Sequence, residues 1–186
     1  VQTCALPICE AGADVTLVAG PVHLPTPRGV ARVDVRSALE MQAAVAQHVG
    51  DASVFVATAA VADWRVADVS GEKIKKDGSG QLPQLSFVEN PDILAGVAHS
   101  ARAQSGALYC VGFAAESHDL LKNATVKRER KGVPLLVGNI GPATFGLDDN
   151  ALLLVDAHGS QALPHANKLT LARQLVAEIA SRMKAA

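Results

Sequence analysis

Four groups of residues in this chain have types and spacings suited to handling a phosphorylated ligand. In the first, Ala59-Ala60-Val61-Ala62-Asp63-Trp64-Arg65, small residues and then an acid follow the apolar run Val54-Phe55-Val56-Ala57. Small side chains let a ligand approach the main chain, and a carboxylate beside it can accept hydrogen bonds from hydroxyls. The second, Glu72-Lys73-Ile74-Lys75-Lys76, offers ammonium groups to phosphate oxygens. The third is Asn90-Pro91-Asp92-Ile93-Leu94, and the fourth Gly112-Phe113-Ala114-Ala115-Glu116 with the basic run Lys127-Arg128-Glu129-Arg130-Lys131. Lys127 and Lys131 are i,i+4 partners on one helical face, where their like charges disfavour the bare helix and a polyanion relieves it. Each group also has a plain reading. A lysine cluster can be a solvated loop face, and cations at a helix C-terminus are favoured by the helix dipole. Asp63 can cap a turn, Trp64 can serve as a lid, and Phe113 can be core.

These residues need a frame that brings them together. Val15–Ala19 reads as a buried strand ended by Gly20, and Val30–Val35 as a second after a Pro-rich loop. Ser37-Ala38-Leu39-Glu40 is a capping box opening a helix to about Val49. Ser53–Ala60 is a third strand, followed by a polar loop from Asp63 to Pro83, long enough to suggest function. Leu85–Val88 is a strand candidate. Asn90-Pro91-Asp92 reads as an N-cap, a Pro at N1 and an acid in the first turn of a helix to about Arg102. Leu108–Ala114 is strand, Ser117 and Asp119 open a helix to Gly132, and Leu135–Ile140 is strand. Ala151–Val155 and Gln161–Leu163 form a hairpin around Gly159, and Asn167–Met183 is a closing amphipathic helix. Alternating strands and helices predict an α/β fold: a Rossmann-like, doubly wound, mostly parallel sheet with a C-terminal β-hairpin and final helix. Ligands in such sheets sit beyond the carboxyl ends of the strands, and four such ends or following helices carry Ala59–Asp63, Asn90–Leu94, Gly112–Glu116 and the basic run Lys127–Lys131.

Composition narrows the function further. The chain has 186 residues, 49% of them hydrophobic but only 3% aromatic, and a net charge of −1. That balance disfavours a nucleic-acid binder or a membrane-surface protein. No apolar run approaches the roughly 20 residues of a membrane span. No secretory leader is legible either, so a cytoplasmic location is expected. Cys4, Cys9 and Cys110 form no metal-spaced set, and Cys110 reads as a small buried hydrophobe. His23, His48, His99, His118, His158 and His165 read as surface or loop, so no histidine base is expected.

Residues 1–9 stand apart. Val1-Gln2-Thr3-Cys4-Ala5-Leu6-Pro7-Ile8 matches the translated tail of a common sequencing adapter, so native sequence is expected to begin near Glu10. Glu10-Ala11-Gly12-Ala13-Asp14 reads as a helix end and a Gly turn, with no helix expected before it.

With these segments in order, the chain from about Gly12 to Met183 resembles the phosphopantothenate–cysteine ligase family. The marks are Val15–Val18 with Gly20-Pro21-Val22 and Leu24–Pro27, Ala59–Asp63, Glu72–Lys76, Asn90–Ile93, Val111–Glu116, Lys127 with Lys131, and Asp148-Asp149-Asn150. The resemblance implies CTP-dependent ligation of 4′-phosphopantothenate with L-cysteine in coenzyme A biosynthesis. The pantothenate carboxylate attacks the α-phosphate to give an acyl-cytidylate, and the cysteine amine then expels CMP. It implies that Asp63 binds the ribose and that Ala59 and Ala60 line the pocket. Lys73 contacts phosphate and promotes the cytidylate, while Pro91, Asp92, Ile93, Leu94 and Phe113 hold the base. Lys127 and Lys131 hold the triphosphate. Mg²⁺ is expected through the triphosphate, and FMN only if a decarboxylase domain precedes this one. A homodimer is implied, or a larger oligomer where such a domain is present. The family also has a first strand and an Asn-Ser-Ser-Gly loop that this sequence does not contain. Residues 10–186 are therefore expected to be a ligase domain lacking that loop, with little activity of its own. Two alternatives stay open: a non-catalytic nucleotide-binding or dimerisation module, and an NAD(P)-dependent reductase. The reductase would want a GxGxxG turn and a Tyr–Lys pair, and the single tyrosine, Tyr109, has no such Lys.

Overall fold

A computed structural model describes residues 2–75, 84–141 and 146–185. Its elements are α1 (Gln2–Glu10), β1 (Val15–Ala19), β2 (Val30–Asp34), α2 (Ala38–His48), β3 (Val54–Ala57), β4 (Trp64–Val66) and β5 (Phe87–Glu89). They continue as α3 (Ile93–Ala98), α4 (Ala101–Gln104), β6 (Tyr109–Glu116), α5 (Leu120–Lys131), β7 (Leu135–Ile140), β8 (Asp149–Val155), β9 (Ser160–Asn167) and α6 (Lys168–Ala185).

The main sheet has five strands in the order β3-β6-β7-β8-β9. β3, β6 and β7 run parallel, and the β8–β9 hairpin adds two antiparallel strands at the far edge. This is the Rossmann-like α/β arrangement expected from the alternation, hairpin and final helix included. β1 and β2 form a separate parallel pair, and β4 and β5 a separate antiparallel ribbon.

Period-two alternation sends side chains to two cores. Val111, Leu135, Val137, Leu152 and Leu154 face Leu171, Leu175 and Ile179 of α6. Cys110, Ala114, Leu136 and Val155 face the other way, onto Ala98 of α3 and Ala124 of α5. Cys110 is fully buried, as expected of a free cysteine within a strand, and burial pushes its thiol up to about 11. Gly112 and Gly138 let helices close on the sheet. A Cβ at Gly112 would lie 2.7 Å from Leu94 Cδ2, and one at Gly138 2.8 Å from Leu120 Cδ1.

Several local expectations need correction. A helix, α1, does precede Gly12; it buries Ala5, and Glu10 accepts from Arg173 of α6 at 3.0 and 3.1 Å. Packing against α6 stabilises a short helix that propensity alone would not, despite Pro7 inside it. At α2, Ser37 Oγ accepts from Glu40 N at 3.2 Å, but the Glu40 carboxylate takes the Arg36 N–H, one residue earlier than a capping box requires. The N-cap of α3 is Asp92 rather than Asn90. The helix expected to reach Arg102 breaks at His99–Ser100, because Ser100 Oγ accepts from Ala103 N and starts a new turn. Trp64–Val66, read as loop, pairs with β5 across a long connection, a contact that three residues cannot announce. β3 stops at Ala57, so Ala59 and Ala60 lie beyond the strand.

Candidate functional site

The carboxyl ends of β3 and β6 and the start of α3 carry most of the predicted site residues. Ala59, Ala60 and Asp63 follow β3 and are exposed. Their segment is tied to the one beginning at Asn90 by two bonds: Asn90 N donates to Asp63 O at 2.8 Å, and Asn90 Nδ2 to Ala62 O at 2.8 Å. Arg65 Nη1 donates to Glu89 O at 2.6 Å and to Asn90 Oδ1 at 3.3 Å, fixing which end of that amide faces which partner.

Pro91, Ile93 and Leu94 come next, half-buried at the start of α3. Asp92 Oδ1 caps the helix by accepting from Ala95 N at 3.0 Å, while Oδ2 pairs with Lys131 Nζ on α5. Burial alone would raise this carboxyl's pKa. Lys131, the Ala95 N–H and the Arg130 charge outweigh burial, so it lies below the usual carboxylate value. One turn earlier on α5, Lys127 Nζ pairs with Glu116 Oε1 at 2.9 Å, at the end of β6.

Both i,i+4 lysines therefore already have carboxylate partners. The like-charge repulsion expected of the bare helix is offset by Asp92 and Glu116. A polyanion would share or displace these carboxylates rather than relieve an unscreened pair. Beside Lys127 lies a depression of about 300 Å³ lined by Glu116, Asn123, Val126, Lys127 and Arg130. A similar one of about 310 Å³ between α1 and α6 includes none of the predicted residues.

Two predicted residues sit apart. Phe113 alternates onto the α6 face of the sheet, half-buried against the Val111–Leu171 core, whereas α3 and α5 cover the opposite face. Lys73 is exposed in the loop after β4, near the end of the segment that closes at residue 75. Lys76 lies outside the described residues. Asn90, Arg65 and Glu116 stand in the groups that the sequence singles out, but their roles in tying the 59–63 segment to α3 and in holding Lys127 are not legible there. An Asn before Pro and an acid at a strand's carboxyl end were the available signals, and neither names its partner.

Residues 3–183 match the family model described as the DNA/pantothenate metabolism flavoprotein C-terminal domain. The coenzyme A biosynthesis bifunctional protein CoaBC of Escherichia coli K12 is 46% identical over 175 residues, covering 92% of this chain and 42% of that protein. The CoaBC of Vibrio cholerae is 42% identical over 177 residues, covering 94% and 44%. The chain thus spans less than half the length of these relatives. Among solved structures, the C-terminal domain of a CoaBC superposes with a TM-score of 0.81 at 27% identity, covering all of this chain and 82% of that one. A Cab2 mutant in complex with phosphopantothenate-cysteine gives 0.73 at 15% identity, covering 98% and 76%, a likeness of fold.

Proposed function

Because the chain belongs to the family of the DNA/pantothenate metabolism flavoprotein C-terminal domain, we propose that it is the phosphopantothenate–cysteine ligase module of coenzyme A biosynthesis, using CTP. One observation carries the reading. Asn90 joins the Ala59–Asp63 segment to the start of α3, and Asp92 joins α3 to Lys131, so a nucleoside wall and a cationic helix face adjoin.

In this reading Ala59 and Ala60 admit the nucleoside to the main chain and the exposed Asp63 carboxylate accepts from the ribose hydroxyls. Pro91, Asp92, Ile93 and Leu94 flank the base, with Phe113 reaching it from the edge of the α6-side core. Lys127 and Lys131 turn from Glu116 and Asp92 toward the triphosphate, and Lys73 closes over the α-phosphate. The 4′-phosphopantothenate carboxylate attacks the α-phosphorus and pyrophosphate leaves. The L-cysteine amine then attacks the acyl carbon of the acyl-cytidylate and CMP leaves. The chain's part is to hold two anions in line while cations offset the charge that develops. Mg²⁺ would ride on the triphosphate oxygens, as it does where substrate phosphates supply its ligands. Before the nucleotide binds, Asp92 and Glu116 are engaged by Lys131 and Lys127 rather than set out as a cation site. FMN enters only with a decarboxylase domain and has no role proposed in this chain.

The reading includes a homodimer. Support comes from the β4–β5 ribbon, where Trp64 and Phe87 fall on one face, each 61% exposed. A two-stranded ribbon with such a face is marginal alone and gains by burial against a second copy. We place the protein in the cytoplasm, with its nucleotide substrate; among the described residues no helix is long and apolar enough to cross a membrane.

Calorimetric titration with CTP and ATP, in Mg²⁺, tests the nucleotide assignment, and pyrophosphate release with 4′-phosphopantothenate tests the chemistry. CTP should bind more tightly than ATP, and Lys131→Met should weaken CTP about tenfold. Preference for ATP, or indifference to Lys131→Met, would overturn the site. CTP binding without phosphopantothenate-dependent pyrophosphate release is expected of this sequence, which contains no Asn-Ser-Ser-Gly loop; the same result from a chain that carries that loop would leave a nucleotide-binding module in place of a ligase.

A further inference from the structure

Asn90 is the residue on which two candidate binding segments converge. Its main-chain N–H holds Asp63 O and its side-chain amide holds Ala62 O, both at 2.8 Å. The residue that follows, Pro91, has a fixed φ, and Asp92 then caps α3. Asn90 is half-buried, and its Oδ1 accepts from Arg65, a side chain that can only donate. The amide orientation is therefore determined by chemistry: NH₂ toward the Ala62 carbonyl, oxygen toward the guanidinium. No other side chain of this length offers both. Aspartate would present an oxygen to a carbonyl oxygen, and serine cannot span both partners.

We propose that Asn90 is a positioning residue for the nucleotide site, holding the 59–63 wall and the 91–94 wall in one register, with Arg65 locking its amide. This rests on the nucleotide site proposed above. Asp63 is held on both sides, through the Ala62 carbonyl and through its own, so its main chain is fixed while its carboxylate stays exposed to a ligand. A wall free to drift by an ångström would lose the ribose and base contacts but not those to phosphate. The triphosphate contacts of Lys127 and Lys131 come from α5, which is joined to the 91–94 wall by Asp92–Lys131 but rests on the sheet through Ala124.

The test titrates the full chain and its Asn90→Ala, Asn90→Asp and Arg65→Met variants with three ligands: CTP, CMP and inorganic triphosphate. Asn90→Asp keeps the Arg65 bond and the side-chain shape, so it carries the test if Asn90→Ala does not fold. Both Asn90 variants should lose about tenfold in affinity for CTP and for CMP by the same factor, equivalent to about 1.4 kcal/mol. Arg65→Met should lose about threefold in the same pattern. Inorganic triphosphate should bind all four proteins alike, an outcome that general loosening of the fold would not give. Equal loss for all three ligands would overturn the proposal. So would unchanged CTP and CMP affinity in both Asn90 variants, and in that case the nucleotide site itself would stand. Failure of the unaltered chain to bind CTP or CMP would remove the site and this inference with it.

Discussion

Asp92 performs two tasks with two oxygens, and substitution can separate them. Oδ1 caps α3 at Ala95 N, and Oδ2 pairs with Lys131. The Asp92→Asn variant would keep an acceptor for the cap, and Asn and Asp are comparable N-caps. It would lose only the ion pair, whose side chains are 46% and 19% exposed. A pair so open to solvent is worth about 0.5 kcal/mol, within the usual range for surface ion pairs. Asp92→Ala would lose the cap as well, a further loss of about 1 kcal/mol. The expected order at pH 7 is wild type, then Asp92→Asn about 0.5 kcal/mol lower, then Asp92→Ala about 1.5 kcal/mol lower. For a domain of this size those are shifts in Tm of about 1–2 and 3–6 °C.

The pH dependence has a definite sign. The Asp92 pKa in the folded protein lies below its ordinary value, with burial opposing and Lys131 and Ala95 N prevailing. Its contribution is therefore complete above the unfolded pKa of about 3.9 and is lost as pH falls through the folded pKa. The gap between wild type and Asp92→Asn should narrow below about pH 4. Removing the carboxylate also frees Lys131, so Asp92→Asn should bind CTP at least as tightly as wild type. Urea denaturation followed by circular dichroism at pH 7 and pH 3, with CTP titration at pH 7, reads all three quantities. Asp92→Asn as unstable as Asp92→Ala at pH 7 would refute the division of labour, and a gap unchanged at pH 3 would refute the ion pair.

Two further substitutions probe how the scaffold holds the site, and a third tests a part remote from it. Gly112→Ala would press a methyl to 2.7 Å from Leu94 Cδ2 and 2.8 Å from the buried Leu136 Cδ1. It should cost about 1–2 kcal/mol in urea titration and weaken CTP, because Leu94 belongs to the base wall. Gly138→Ala, pressed on Leu120, should cost similar stability without weakening CTP. Arg182 binds Asp156 at 3.2 Å, Gln161 at 2.9 Å and Glu178, joining α6 to the hairpin. Arg182→Met should cost about 2 kcal/mol in urea titration, the scale of partly buried charged hydrogen bonds, and leave CTP affinity unchanged.

The parts of the fold that sequence made legible are those set by neighbours close along the chain. Short, nearly continuous apolar runs located β6 and β7, the i,i+4 stripe of Leu171, Leu175 and Ile179 located α6, and Gly132, at φ 66°, marked the end of α5. What escaped depends on distant partners. β4 exists because Val66 meets Phe87, a pairing across a loop that no local pattern encodes. The break after α3 depends on which hydroxyl wins a cap, and Ser100 won it. α1 persists through Arg173, far along the chain.

The same division runs through the candidate site. Residue types in order could name Asp63, Lys127 and Lys131, since a carboxylate after a strand and paired ammonium groups on one helix face are local facts. They could not show that Lys127 and Lys131 are each held by a carboxylate from another element, because salt-bridge partners are chosen by folding. That pairing alters the chemistry. A helix face with two bare ammonium groups would attract any polyanion, and most strongly at low salt. With Glu116 and Asp92 engaged, the net charge at those positions is close to zero until a ligand arrives with oxygens placed to take over both bonds. Selectivity then rests less on charge than on register, that is, on whether a nucleoside seated between the 59–63 and 91–94 walls delivers its phosphates to the same turn of α5. Asn90, which no charge pattern singles out, is the residue placed to set that register.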